Sequence, residues 1–119
     1  MLTETEIQNS IAGHAKRNAM LLENLKRKGV RLDDRHSVEH HFYAKDQQSA
    51  ALLASELYGR GYLVLVICPS DMKEGPKLWN IEVGINRTIN QAADPALTEE
   101  LVRLAARFDA TYDGWGTSV

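Results

Sequence analysis

Histidines and an acidic residue lie close together in the stretch HSVEHH at residues 36–41, and such side chains bind metals and transfer protons. In an extended strand, however, neighbouring side chains point to opposite faces of the sheet, so His40 and His41 cannot bind the same ion. The HExxH spacing, which places two histidines on one face of a helix, does not occur in the sequence. The stretch therefore predicts neither a metal site nor a bound cofactor.

The stretch TYDGWGT at residues 111–117 holds a second group of side chains that could take part in chemistry. An acid–base enzyme would need Glu39 or His41 to meet Tyr112 or Asp113 in a pocket. The sequence contains no nucleophile elbow, no phosphate-binding glycine loop and no paired-carboxylate motif. We therefore predict no catalytic residue and a protein that is not an enzyme.

The composition is that of an ordinary globular protein. The chain has 119 residues, of which 44% are hydrophobic and 25% charged, and this size predicts one domain. A formal charge of -2 does not indicate a nucleic-acid-binding protein. The single cysteine, Cys68, suits a reducing compartment, and the chain has neither a secretory signal pattern nor an apolar run long enough to span a membrane. These features predict a cytoplasmic location.

The first segment carries the start and stop signals of a helix from about residue 3 to residue 28. Thr3 and Glu6 have the spacing of a capping box, and Gly29 follows a cationic last turn. The apolar or small positions that form one stripe on this helix are Ile7, Ile11, Ala15, Leu22 and Leu25. His14 and Asn18 interrupt the stripe, which predicts packing against either the following domain or a second copy of the chain.

Hydrophobic patterns predict the remaining elements in the order strand, helix, strand, strand, helix, strand. Strands are expected at residues 36–44, 62–68, 78–85 and 110–113. Asp46 caps the first of the two helices, which ends at the glycines of residues 59–61, and Asp94 with Pro95 begins the second. A turn is expected at residues 69–76 and a loop at residues 86–94.

This order of elements predicts an α+β fold of the ferredoxin-like type, a βαββαβ sandwich with both helices on one face of an antiparallel sheet. We expect one domain over residues 1–119, with an additional N-terminal helix at residues 1–29 and the ferredoxin-like core at residues 35–117. The first and last strands of such a sheet are neighbours, so Asp113 is expected to lie near His40 or His41. Residues expected to shape the C-terminal turn are Tyr112, Gly114 and Gly116. Trp115 would fold back from it, either as a plug in the core or as an anchor on the open face.

The open face of the predicted sheet carries polar side chains on two strands, namely Glu39 and His41 on the first and Asn80 and Glu82 on the third. Sheets that bind RNA stack bases on exposed aromatic residues, and the acidic residues here would repel phosphate instead. We therefore expect no direct nucleic-acid binding. A basic protein partner suits this surface, and a merely solvated sheet face is the alternative.

Three motifs resemble the RraB family, the protein regulators of ribonuclease E activity. They are VEHHFYAKD at residues 38–46, GYLV at residues 61–64 and LTEELVRLAARFDATYDGWGT at residues 97–117. The YDGWGT ending joined to a helix of this pattern is the most specific of them. The resemblance implies a ferredoxin-like fold preceded by a helix, no catalytic activity, and binding to ribonuclease E or a related nuclease that restrains RNA cleavage.

The hypothesis from the sequence is therefore a cytoplasmic, non-catalytic regulator of RNA degradation that acts by protein–protein interaction and needs no cofactor. The residues expected to bind the partner are Glu39, His41, Glu82, Asp113 and Trp115. The alternative hypothesis is a small-molecule-binding or catalytic ferredoxin-like domain with a site at the C-terminal turn. A third is an interaction module that forms a homo-oligomer through its first helix.

Overall fold

A computed structural model describes residues 2–70 and 77–118. The helices are α1 (Glu4–Arg27), α2 (Gln47–Gly59), α3 (Ile89–Ala92) and α4 (Pro95–Arg107). The strands are β1 (Arg35–Ala44), β2 (Leu63–Pro69), β3 (Trp79–Thr88) and β4 (Ala110–Thr117). Residues 71–76 of the predicted turn lie outside the described part of the chain.

The four strands form one antiparallel sheet in the order β2-β3-β1-β4. This is the strand order of a ferredoxin-like sheet, so the predicted α+β fold is confirmed, and β1 and β4 are neighbours as expected. The buried side chains of β1 lie on one face of the sheet and are Val38, His40, Phe42 and Ala44. Phe42 and Ala44 pack with buried side chains of β3, α2 and α4 in the core.

Helix α1 begins at the predicted capping box. The Thr3 hydroxyl accepts a hydrogen bond from the Glu6 backbone N–H, and the Glu6 carboxylate accepts one from the Thr3 N–H. The helix packs along α4 of the same chain, and the guanidinium of Arg103 reaches back to the Glu4 carboxylate at 2.9 Å. The sequence left open whether α1 packs against the following domain or a second copy of the chain. In the structure it packs against the chain's own domain.

Two predicted boundaries differ from the structure. Strand β3 continues to Thr88, and a short helix follows where a loop was expected, because Thr88 and Gln91 form a second capping box. Strand β4 was predicted to end at Asp113 but runs to Thr117. The two glycines of β4 led to the prediction of a turn, whereas in the structure both are paired with residues of β1.

A β-bulge in β4 explains how a glycine-rich segment continues the sheet. Phe42 pairs with Tyr112 and His41 with Gly114, which leaves Asp113 as the extra residue of β4. Gly114 has a φ of 121°, a backbone conformation that residues with a Cβ rarely adopt. The extra residue reverses the alternation of β4, so side chains after the bulge point to the opposite face from the one that strict alternation predicts.

Candidate functional site

The open face of the sheet is the surface opposite the core, and it is formed mainly by β1 and β3. Its side chains on β1 come from Ser37, Glu39, His41 and Tyr43, which alternate with the buried positions. On β3 they come from Asn80, Glu82 and Asn86, with Gly84 between the last two. None of the described helices has the length and apolar character needed to cross a bilayer.

Three of the predicted partner-binding residues converge on this face and form what we call the acidic trio: Glu39, His41 and Glu82. His41 and Glu82 are direct cross-strand partners, and Nδ1 of the imidazole lies 3.3 Å from Oε1 of the carboxylate. One polar atom from each of the three side chains lies within 4.8 Å of the other two, and each residue is half-buried. The trio therefore concentrates two carboxylates around one imidazole at the centre of the sheet.

The acidic trio could also serve as a set of metal ligands, since imidazole nitrogen and carboxylate oxygen both bind divalent cations such as Zn²⁺. The sequence argument against a metal site compared only residues within β1. Glu82 comes from β3, 41 positions after His41 along the chain. Only the cross-strand register brings it to the same point.

Glycines surround the acidic trio and leave space beside it. Glu39 is paired with Gly84 on β3 and with Gly116 on β4, so neither neighbouring strand places a side chain next to it. His41 is paired with Gly114 on its β4 side. On its β4 side, over Gly116, the carboxylate of Glu39 therefore borders a shallow trough that a long side chain of a partner could enter, whereas Leu65 of β2 covers Gly84 on its β3 side.

The other two predicted partner-binding residues do not join the acidic trio. Because of the bulge, Trp115 lies opposite His40 on the face that carries the helices, and its indole N–H donates to Asn18 Oδ1 on α1 at 2.9 Å. The indole therefore lies off the open face, where it is half-buried rather than part of the core. Asp113, which was expected to lie near His40 or His41, is exposed in the bulge, and the imidazole of His41 faces Glu82 instead.

His40 belongs to the core. It is fully buried, and its Nδ1 shares a hydrogen bond of 2.8 Å with the hydroxyl of Tyr112. Burial lowers the pKa of His40 to about 3, with a smaller effect from the nearby charge of Arg87. Burial also raises the pKa of the Tyr112 hydroxyl well above its usual value. Both groups are neutral at physiological pH and hold β1 against β4.

Two polar residues of α1 fasten β4, and the sequence did not assign them this role. His14 donates from Nε2 to the backbone carbonyl of Tyr112 at 2.9 Å, while its Nδ1 accepts from Arg17 at 3.1 Å. Asn18 accepts from the Trp115 indole and donates to Thr98. The available signal was their position, since polar residues four apart inside an apolar stripe lie on the buried side of a helix.

Fold and site together define a class of small α+β domain, in which a long N-terminal helix fastens the last strand and a four-stranded antiparallel sheet exposes an acidic face. The absence of a covering layer on that face, in the part of the chain that the structure describes, makes it accessible to a macromolecule. The chain belongs to the RraB family: the model of this family, described as Regulator of ribonuclease activity B, matches residues 15–117. The resemblance seen in the three motifs is thereby confirmed.

Curated relatives carry the same description. The chain is 30% identical over 98 residues to Regulator of ribonuclease activity B of Salmonella typhi. This match covers 82% of this chain and 71% of the Salmonella protein. The protein of Escherichia coli (strain K12) matches with the same identity and coverage. The Psychromonas ingrahamii protein is 24% identical over 111 residues, and the match covers 93% of this chain and 92% of the relative.

Proposed function

We propose that this protein binds ribonuclease E, or a related RNA-processing nuclease, and restrains its cleavage of RNA without catalysing a reaction itself. Membership of a family described as regulators of ribonuclease activity supports the general role. The observation that carries the proposal for this chain is the convergence of Glu39 and Glu82 on an uncovered sheet face.

The acidic trio suits a cationic partner surface for an electrostatic reason. Two carboxylates held close together repel one another, and a lysine or arginine side chain placed between them relieves this repulsion. Enzymes that bind RNA carry such cations, because they contact the phosphate backbone. A protein that covers those cations therefore competes with the substrate for the same charges. The glycine trough beside Glu39 admits the long side chain that this contact requires.

Trp115 and Asp113 contribute in different ways in this proposal. Trp115 supports the surface from behind, because its bond to Asn18 holds the segment that supplies Gly116 to the trough. Asp113 is exposed at the edge of the sheet next to that segment and adds negative charge where a basic partner would approach. The N-terminal helix is occupied by the chain's own core, so the proposal does not require a homo-oligomer.

The test is a binding and cleavage assay with purified ribonuclease E at increasing salt concentration. The double variant Glu39→Lys and Glu82→Lys reverses the charge of the trio, and we expect it to weaken binding by about 100-fold or more at low salt, since like charges would then face each other. The matched control is Glu23→Lys with Glu100→Lys, which makes the same change in net charge on exposed positions of α1 and α4.

Equal loss of affinity in the two double variants would mean that net charge alone is sensed, and the sheet face would not be the contact. A wild-type chain that neither binds the nuclease nor slows cleavage at low salt would exclude the proposed activity. Thermal unfolding of each variant shows whether the fold is retained.

A further inference from the structure

An apolar surface lies on the open face directly beside the acidic trio. Leu63 and Leu65 of the edge strand β2 are 62% and 47% exposed, which is unusual for leucines on a sheet next to a well-filled core. Leu63 pairs with Gly84, and this places it on the open face. We call Leu63, Leu65 and Gly84 the apolar shelf.

A second bulge, in β2, builds the apolar shelf. The register between β2 and β3 shifts between Val64 and Val66, so Leu65 is the extra residue of the edge strand. Its side chain lies across Gly84, where a Cβ would be only 3.1 Å from Leu65 Cδ1. The glycine therefore lets an exposed leucine lie flat over β3. A depression of about 310 Å³ adjoins the shelf, and Ser37 and Asn86 line its polar rim.

The apolar shelf and the acidic trio form one continuous surface. Glu39, Gly84 and Leu63 occupy a single row across β1, β3 and β2. Adjacent strands are about 5 Å apart, so Glu39 and Leu63 are separated by about 10 Å. The side chain of Leu65 lies over Gly84 between them, so the apolar and acidic groups adjoin. One side of this row attracts cations, and the other attracts apolar groups.

We propose that the open face recognises a protein segment in which a lysine or arginine is followed or preceded, within about four positions, by a large aliphatic or aromatic residue. The cation would contact the acidic trio and the apolar side chain would enter the depression at the shelf. This inference rests on the proposed function, because the segment is taken to belong to the nuclease partner.

The negative charge of the acidic trio favours a basic protein segment over other molecules that could bind the open face. RNA and an anionic membrane surface carry phosphates, which Glu39 and Glu82 repel. A second copy of the chain, docked by the same face around a two-fold axis, would bring four carboxylates into one interface. A basic segment with an apolar anchor can contact the acidic trio and the apolar shelf at the same time.

The test compares two double variants for binding to purified ribonuclease E. Leu63→Ser with Leu65→Ser removes the apolar shelf, and Met20→Ser with Leu52→Ser removes two comparably exposed apolar side chains from α1 and α2 as the matched control. We expect the shelf variant to bind about 10-fold to 100-fold more weakly than wild type at both low and high salt, because apolar contacts are not screened. The control variant should bind like wild type.

A third variant, Leu63→Met with Leu65→Met, keeps the shelf apolar and should retain wild-type affinity. If wild type binds and the shelf variant binds equally well, the inference is wrong while the proposed function stands. If wild type does not bind, the proposed function fails and the inference fails with it. A wild-type dimer in sedimentation that the shelf variant converts to monomers would assign the shelf to a second copy and also overturn the inference.

Discussion

Acid should destabilise this protein through His40, which is neutral and buried in the folded state. The imidazole is completely removed from solvent and bonded to the Tyr112 hydroxyl. Its pKa in the folded protein is about 3, against 6.5 for an unperturbed histidine, because burial disfavours the charged form. Unfolding exposes the imidazole to water, where it binds a proton readily at mildly acidic pH.

The sign and size of the effect follow from proton linkage. Since the pKa of the folded state is the lower one, the stabilisation is fully present above pH 6.5 and is lost as the pH falls towards 3. At pH 4.5 the unfolded state gains about 3 kcal/mol from protonation of this one group, and the limiting value near pH 3 is about 5 kcal/mol. Domains of this size are stable by roughly 5–15 kcal/mol, so the loss is a large fraction of the total.

The assay is denaturant unfolding of wild type and His40→Gln at pH 7 and pH 4.5. Glutamine does not titrate and can still bond the Tyr112 hydroxyl, so the loss of stability between the two pH values should be about 3 kcal/mol smaller in His40→Gln than in wild type. Equal losses in wild type and His40→Gln would refute the reasoning, whatever the stability at pH 7.

Three further predictions concern the last strand and the partner surface. Gly114→Ala should lower the free energy of unfolding by about 1–3 kcal/mol, because the backbone φ of 121° at this position disfavours a residue with a Cβ. Gly116→Ala should lower it less, since its backbone is not strained and no atom lies near its missing Cβ. Asn18→Ala should cost about 1–3 kcal/mol and change the fluorescence of Trp115, because the indole N–H loses its acceptor; an unchanged emission spectrum would contradict the contact. Charge reversal at Glu39 with Glu82 should reverse the salt dependence of nuclease binding, so that affinity no longer falls as salt rises from about 50 to about 300 mM, because salt then screens a repulsion.

The predicted elements were set by signals that act over a few residues. Thr3 and Glu6 bond each other's backbone N–H groups at the start of α1, so the helix start could be predicted from their spacing. In residues 36–44, successive side chains point to opposite faces of the strand, so the sequence also distinguished the buried face of β1 from the open one. The order of these elements then restricts the topology, and the YDGWGT ending identified the family.

Pairing between distant strands determined the site. Glu82 joins Glu39 and His41 only through the register of β3 against β1, which no local pattern encodes. The bulge at Asp113 turned Trp115 towards the helices, although strict alternation along β4 would have placed it on the open face.

The amino-acid sequence by itself determined which segments become helices and strands, their order and the family, because capping, periodicity and motifs depend on neighbours along the chain. The tertiary structure alone decided that His14 and Asn18 of α1 hold β4 in place and that Leu65 lies across Gly84 beside the acidic trio. Each of those contacts joins residues from different elements, and one additional residue in a strand is enough to reverse which face a side chain occupies.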